Sequence, residues 1–97
     1  MTTDTRAVNA FNQVRLRAGL EEVVSLTKTQ LLEERRMEFV FENQRLYDLI
    51  RFGEADNILG AFSSENGFFY TSDKVYLPIP QAQLDNLPGV YIQNNGY

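Results

Sequence analysis

Residues 33–53 read EERRMEFVFENQRLYDLIRFG, and within them Glu38 and Glu42 stand one helical turn apart. Paired carboxylates are what glycoside cleavage uses, one as acid and the other as base or nucleophile. The neighbouring charges oppose that chemistry. A general acid must keep its proton near neutral pH, whereas Arg35 and Arg45 beside these carboxylates favour the ionised form. The same side chains make better sense as a structural charge ladder, in which Arg35 meets Glu38, and Glu42 meets Arg45, at i,i+3. Buried charges are as a rule paired, and charge-assisted hydrogen bonds fix where loops pack. No catalytic residue is assigned.

The second set of candidates is aromatic. Sugar sites present a flat ring to the apolar face of the ligand, flanked by polar groups that hold hydroxyls. Phe68, Phe69 and Tyr70 beside Asn66 and Asp73 have that composition, in a segment expected as an exposed loop or hairpin. By strand alternation Phe68 and Tyr70 turn into the core and Phe69 turns outward. Phe69, Tyr70, Asn66 and Asp73 are therefore the candidate ligand-binding residues, with Phe69 foremost.

Other chemistries are excluded by composition. His and Cys are both absent, which removes thiolate nucleophiles, Ser-His relays, disulfides and the usual zinc sites. Neither metal nor cofactor is expected. With 9 basic against 13 acidic residues the formal net charge is −4, so no positive field attracts a phosphate backbone, and nucleic acid is not an expected partner. Arg15 and Arg17 form a small basic patch, but Glu21 and Glu22 follow, and a solvated surface is expected there. The N-terminal residues contain no apolar run of signal-peptide or membrane-span length.

These candidates need elements to hold them. At 97 residues and 43% hydrophobic, the chain suffices for one compact domain, 1–97. Ala7, Val8, Phe11, Val14 and Ala18 recur at helical spacing from Asp4 to Ala18, with Gly19 in the place of a left-handed cap. After a connection, LEEVVSL, Thr27 and Gln30 make a capping box, flanked by Leu26 and Leu31 as a hydrophobic staple. The second helix is expected from Lys28 to Phe52, ended by Gly53, and would be about 37 Å long. Its core stripe is Leu31, Leu32, Phe39, Leu46, Leu49 and Ile50. Beyond Gly53 an irregular, loop-rich tail is expected, with the hint of a short hairpin around Asn66-Gly67. Pro80 can open one helical turn from Gln81 to Asp85, and LPIP (77–80) reads as a rigid strap over the second helix. The fold class is mainly α.

Glu34-Arg35-Arg36, Glu38, Phe41-Glu42, Arg45, Asp48-Leu49 and Arg51-Phe52-Gly53 resemble the "ERR-x-E-x-x-FEG-x-R-x-x-DL-x-RWG" signature of the C-terminal region of SusD/RagB outer-membrane proteins. Asn12-Gln13-Val14-Arg15-Leu16-Arg17-Ala18-Gly19-Leu20 is similar to the family's "N-x-VR-x-RAGL". Leu77-Pro78-Ile79-Pro80 matches "LPIP", and Gln93-Asn94-Asn95-Gly96-Tyr97 resembles the closing "QNPGY". Asn43, Phe52 and Asn95 stand where the family usually has Gly, Trp and Pro. The resemblance implies a C-terminal fragment of a surface lipoprotein that captures glycans or other small nutrients and does not catalyse. It implies a SusC-like TonB-dependent transporter as partner, a location at the outer membrane, and a helical N-terminal part that lies outside this chain. Within such a protein these residues are mostly scaffold. The alternative is a small helical protein-interaction module, whose second helix would grip a partner through uncovered apolar area.

Overall fold

The computed structural model describes residues 1–97, which form α1 (Thr5–Arg17), α2 (Lys28–Glu38), α3 (Arg45–Arg51), α4 (Ala55–Asn66), a 3-10 helix (Ser72–Val75) and α5 (Gln81–Asn86). The fold is mainly helical, as expected. No helix is long and apolar enough to cross a membrane. The chain divides into two compact units, Met1–Asp48 and Leu49–Tyr97.

In the first unit α1 starts at Asp4, whose carboxylate accepts from the Arg6 backbone N–H at 2.9 Å. The Arg6 guanidinium and that N–H hold the Asp4 carboxyl below the usual carboxylate range. The helix ends as the glycine position predicts. Gly19 has φ 74°, its N–H donates to the Leu16 carbonyl and that of Leu20 to Arg15, the paired bonds of a Schellman motif. Val8 and Phe11 of α1 bury against Leu26, with Val23 and Leu31 packed beside them. The connection is pinned from both sides. Thr2 and Leu26 exchange backbone bonds at 2.7 and 2.9 Å, and the buried Asn12 carboxamide bonds both the N–H and the carbonyl of Val23 at 2.9 Å.

The capping box forms in full: Thr27 Oγ1 accepts from the Gln30 N–H at 3.1 Å, and Gln30 Oε1 accepts from the Thr27 N–H at 2.9 Å. Thr27→Ala should lower the unfolding free energy by about 1 kcal/mol, read from the urea midpoint, the usual effect of losing such a cap.

The long second helix does not exist as one element. α2 stops at Glu38, and residues 39–44 form a loop in which Phe41 and Asn43 have φ 67° and 57°. The run Phe39-Val40-Phe41 is poor in helix formers, and Asn is among the few residues that tolerate a left-handed backbone. The stripe expected along one helix is split accordingly. Leu32 and Leu49 are buried, whereas Ile50 is exposed.

In the second unit α3 ends in another Schellman motif at Gly53. The expected hairpin is absent, because Asn66-Gly67 closes a helix instead. α4 occupies residues read as irregular, and Gly67, at φ 71°, lets the Phe68 N–H turn back to the Ser63 carbonyl at 2.8 Å. An L side chain would be strained at that φ. α4 packs against the 3-10 helix. Pro80 opens α5 as its cap residue, close to the expected turn. The LPIP strap is held by the end of the chain. The Gln93 carboxamide accepts from the Ile79 N–H at 2.8 Å and donates to the Ile79 carbonyl at 3.0 Å, in place of a β-bridge partner. Asn94 Nδ2 donates to the Leu77 carbonyl at 2.7 Å, and Lys74 Nζ to that of Gly96 at 2.6 Å.

Candidate functional site

Glu33, Glu34, Arg35, Glu38, Arg45 and Asp48 of the 33–53 stretch are engaged with partners far away in sequence. Arg35 Nε donates to Asp48 Oδ2 at 2.8 Å across thirteen residues, and the Asp48 side chain is only 5% exposed. In one continuous helix those residues would be about 20 Å apart along the axis. The loop at 39–44 is what lets them meet. Arg45 reaches back likewise, donating to the Leu32 carbonyl at 3.1 Å and pairing with Glu33 at 3.5 Å. Glu38 pairs with Arg17, and Glu34 with Arg15 at 2.8 Å, while Arg15 Nε also donates to the Glu21 carbonyl. The Arg35–Glu38 and Glu42–Arg45 contacts expected along one helix are thus replaced by contacts between elements. Arg15, expected as solvated, is half-buried in an ion pair.

Glu38 and Glu42 end up in different settings. Glu38 lies on the rim of a groove of about 370 Å³ between α1 and α2, floored by Ala7, Ala10, Phe11, Val14, Leu31 and Phe39. Glu42 is exposed in the loop. Of the two carboxylates only Glu38 lines the groove. The guanidinium of Arg35 covers the ring of Phe39 at 4.8 Å, which adds to its positioning role.

The four candidate ligand-binding residues are dispersed in role. Phe69 is 84% exposed, but no strand forms here, and Phe68, which alternation places in the core, is also exposed and stacks on Phe62 with ring centroids 6.2 Å apart. Asn66 spends its amide on the Phe62 carbonyl at 2.8 Å. Tyr70 is half-buried and donates its hydroxyl to Asp56 at 2.8 Å. Asp73 stands apart from these commitments: with Tyr76 it lines a cleft of about 410 Å³ bounded by Ile92 and Gln93–Asn95, and a second of about 360 Å³ bounded by Ala55 and Asp56. Tyr76 and Asn94–Asn95 were not among the sequence candidates. The signal that could have found them is the closing QNNGY segment, whose Gln93 and Asn94 bind the strap that follows Tyr76.

Partial burial, and then the hydrogen bond to Asp56, push the Tyr70 phenol from 10.0 up to about 12. The folded state therefore holds this proton longer than the unfolded chain does. Its contribution to stability is complete below pH 10 and is lost as pH rises through about 12. Tyr70→Phe should remove that part of the alkaline loss, seen as a flatter dependence of the unfolding midpoint on pH. Phenolate absorbance should show that one of the five tyrosines, absent in the variant, titrates late.

The helical order, the capped α2, the arginine contacts that join α1, α2 and α3, and the strap held by the closing segment together define a class. The SusD family profile matches residues 1–97, and the chain belongs to the SusD family. Among solved structures it is similar to Surface glycan-binding protein A from Bacteroides thetaiotaomicron, with 39% identity and a TM-score of 0.76 over 98% of this chain and 20% of that one. The chain thus spans about a fifth of that protein's length. No curated protein matches it.

Proposed function

We propose that this chain is the C-terminal segment of an outer-membrane surface protein that captures glycans, or other small nutrients, and delivers them unhydrolysed to a TonB-dependent transporter. Within that protein its residues serve mainly as scaffold. The observation that carries this proposal is the 39% identity, over 98% of the chain, to a protein named for glycan binding at the surface. The geometry supports it, because Glu34, Arg35, Glu38, Arg45 and Asp48 of the family signature are spent on joining elements. Phe69 is the ring that the 66–73 stretch offers most fully outward.

A chimera tests the proposal: residues 1–97 replace the matched fifth of Surface glycan-binding protein A. Calorimetry with the parent's own glycan should find affinity within roughly ten-fold of the parent, about 1.4 kcal/mol, and the transporter should still co-purify. A folded chimera that captures no glycan would overturn the proposal. It would favour the second reading, a protein-interaction module, for which the specific observation is the open apolar groove between α1 and α2.

A further inference from the structure

Asp73, Tyr76 and the 92–95 segment form a cleft held in place by the side chains of Gln93 and Asn94, and its other lining residues are Asp73, Tyr76, Ile92 and Asn95. Gln93 is clamped on both sides of Ile79, and Asn94 is tied through its amide nitrogen to the Leu77 carbonyl, so the segment is set against the strap. Lys74 bonds the Gly96 carbonyl and lies 3.8 Å from the centre of the Tyr97 ring, which fixes the end of the chain beside it. Gly96 passes so close to Asp73 that a Cβ there would come within 3.1 Å of the Asp73 Cβ. The wall is therefore preorganised. Besides the clamped Gln93 and Asn94, the cleft is lined by Tyr76, 67% exposed, Ile92, 87% exposed, Asp73 and Asn95.

An exposed aromatic side chain beside a carboxylate and a carboxamide matches a sugar, which has an apolar ring face and hydroxyls at its edge. We propose that this cleft is a subsite for a neutral oligosaccharide, with Tyr76 stacking on one sugar ring and Asp73 and Asn95 holding its hydroxyls. The inference rests on the glycan-capture function proposed above and places a contact inside this chain. Neutrality follows from charge. Asp73 is the one charged residue of the lining, Lys74 being turned to the Gly96 carbonyl and the Tyr97 ring, and the chain carries −4 overall, so a uronic-acid polymer would be disfavoured.

The test is NMR titration of the 97-residue chain with maltohexaose, cellohexaose, xylohexaose and hexagalacturonate. At least one neutral hexasaccharide should shift the amides of Asp73–Tyr76 and Asn94–Asn95 saturably, and hexagalacturonate should not. Tyr76→Ala should weaken that binding about ten-fold, Tyr76→Phe should preserve it, and Asp73→Asn should weaken it while admitting hexagalacturonate. Because Tyr76 is largely exposed, a retained amide spectrum is expected for its variants. Binding that survives Tyr76→Ala, shifts confined to other residues, equal binding of hexagalacturonate, or no binding of any neutral hexasaccharide would each overturn the subsite. None of these outcomes would alter the result with the chimera, where failure to capture glycan speaks against the broader function.

Discussion

Arg35→Ala should lower the unfolding free energy by about 3–5 kcal/mol, whereas Arg36→Ala should change it by about 0–1 kcal/mol. The two arginines are adjacent and differ only in what they meet. Arg35 lies 2.8 Å from the carboxylate of Asp48, which is 5% exposed, so its removal withdraws the guanidinium from a carboxylate that water does not reach. Arg36 is 3.5 Å from Glu33, and both side chains are more than half exposed, so solvent replaces the contact. Arg35→Lys should recover only part of the loss, because an ammonium offers neither the Nε donor nor the planar group that covers Phe39. Urea unfolding of the three variants measures the difference. Equal, small losses for Arg35→Ala and Arg36→Ala would show that the Arg35–Asp48 pair does not hold α3 against α2.

Phe11→Ala should have an effect of similar size, about 3–5 kcal/mol, through a different cause. Its ring is 6% exposed among Val8, Leu26, Val23 and Leu31, and Arg15 lies over it at 5.8 Å. At about 0.05 kcal/mol per residue a chain of this length has on the order of 5 kcal/mol in total, so the loss is comparable with the whole. Amide dispersion in the 1–48 unit should collapse. Phe41→Ala is the matching control, because Phe41 is 96% exposed, and its stability should stay within about 0.5 kcal/mol of the parent.

What could be read in advance was local. The Thr27–Gln30 capping box, the left-handed Gly19 and the Pro80 entry to α5 each depend on a few neighbouring residues, and each is found where expected. The break at 39–44 was hidden because the apolar and charged spacing on both sides of it continues a helical pattern. Its local marks were the Phe39-Val40-Phe41 run and Asn43, standing where the family usually has Gly. Once the helix breaks, the expected i,i+3 pairs lose their geometry, and the pairs that join different elements link residues twelve or more apart, such as Arg35–Asp48 and Arg15–Glu34. Periodicity along one helix cannot reveal such contacts. α4 was legible and missed: Ala55, Ile58, Leu59 and Phe62 have helical spacing, but Gly60, Ser63 and Ser64 read as breakers. Asn66-Gly67 serves a hairpin turn and a helix end equally well, and the helical pattern before it decides between them.

If the charged stretch is scaffold and capture happens elsewhere, weakening its carboxylates should cost stability and nothing else. The most direct measurement is calorimetric titration of the chimera carrying both Glu34→Gln and Glu38→Gln, with product analysis of the same samples and the parent's glycan as ligand. The expected result is an unchanged Kd, a lowered unfolding midpoint from the weakened contacts to Arg15 and Arg17, and no new reducing ends with or without the substitutions. A folded double variant that binds ten-fold more weakly, or glycan cleavage by the chimera that the variant lacks, would contradict it and return the carboxylates to the functional site.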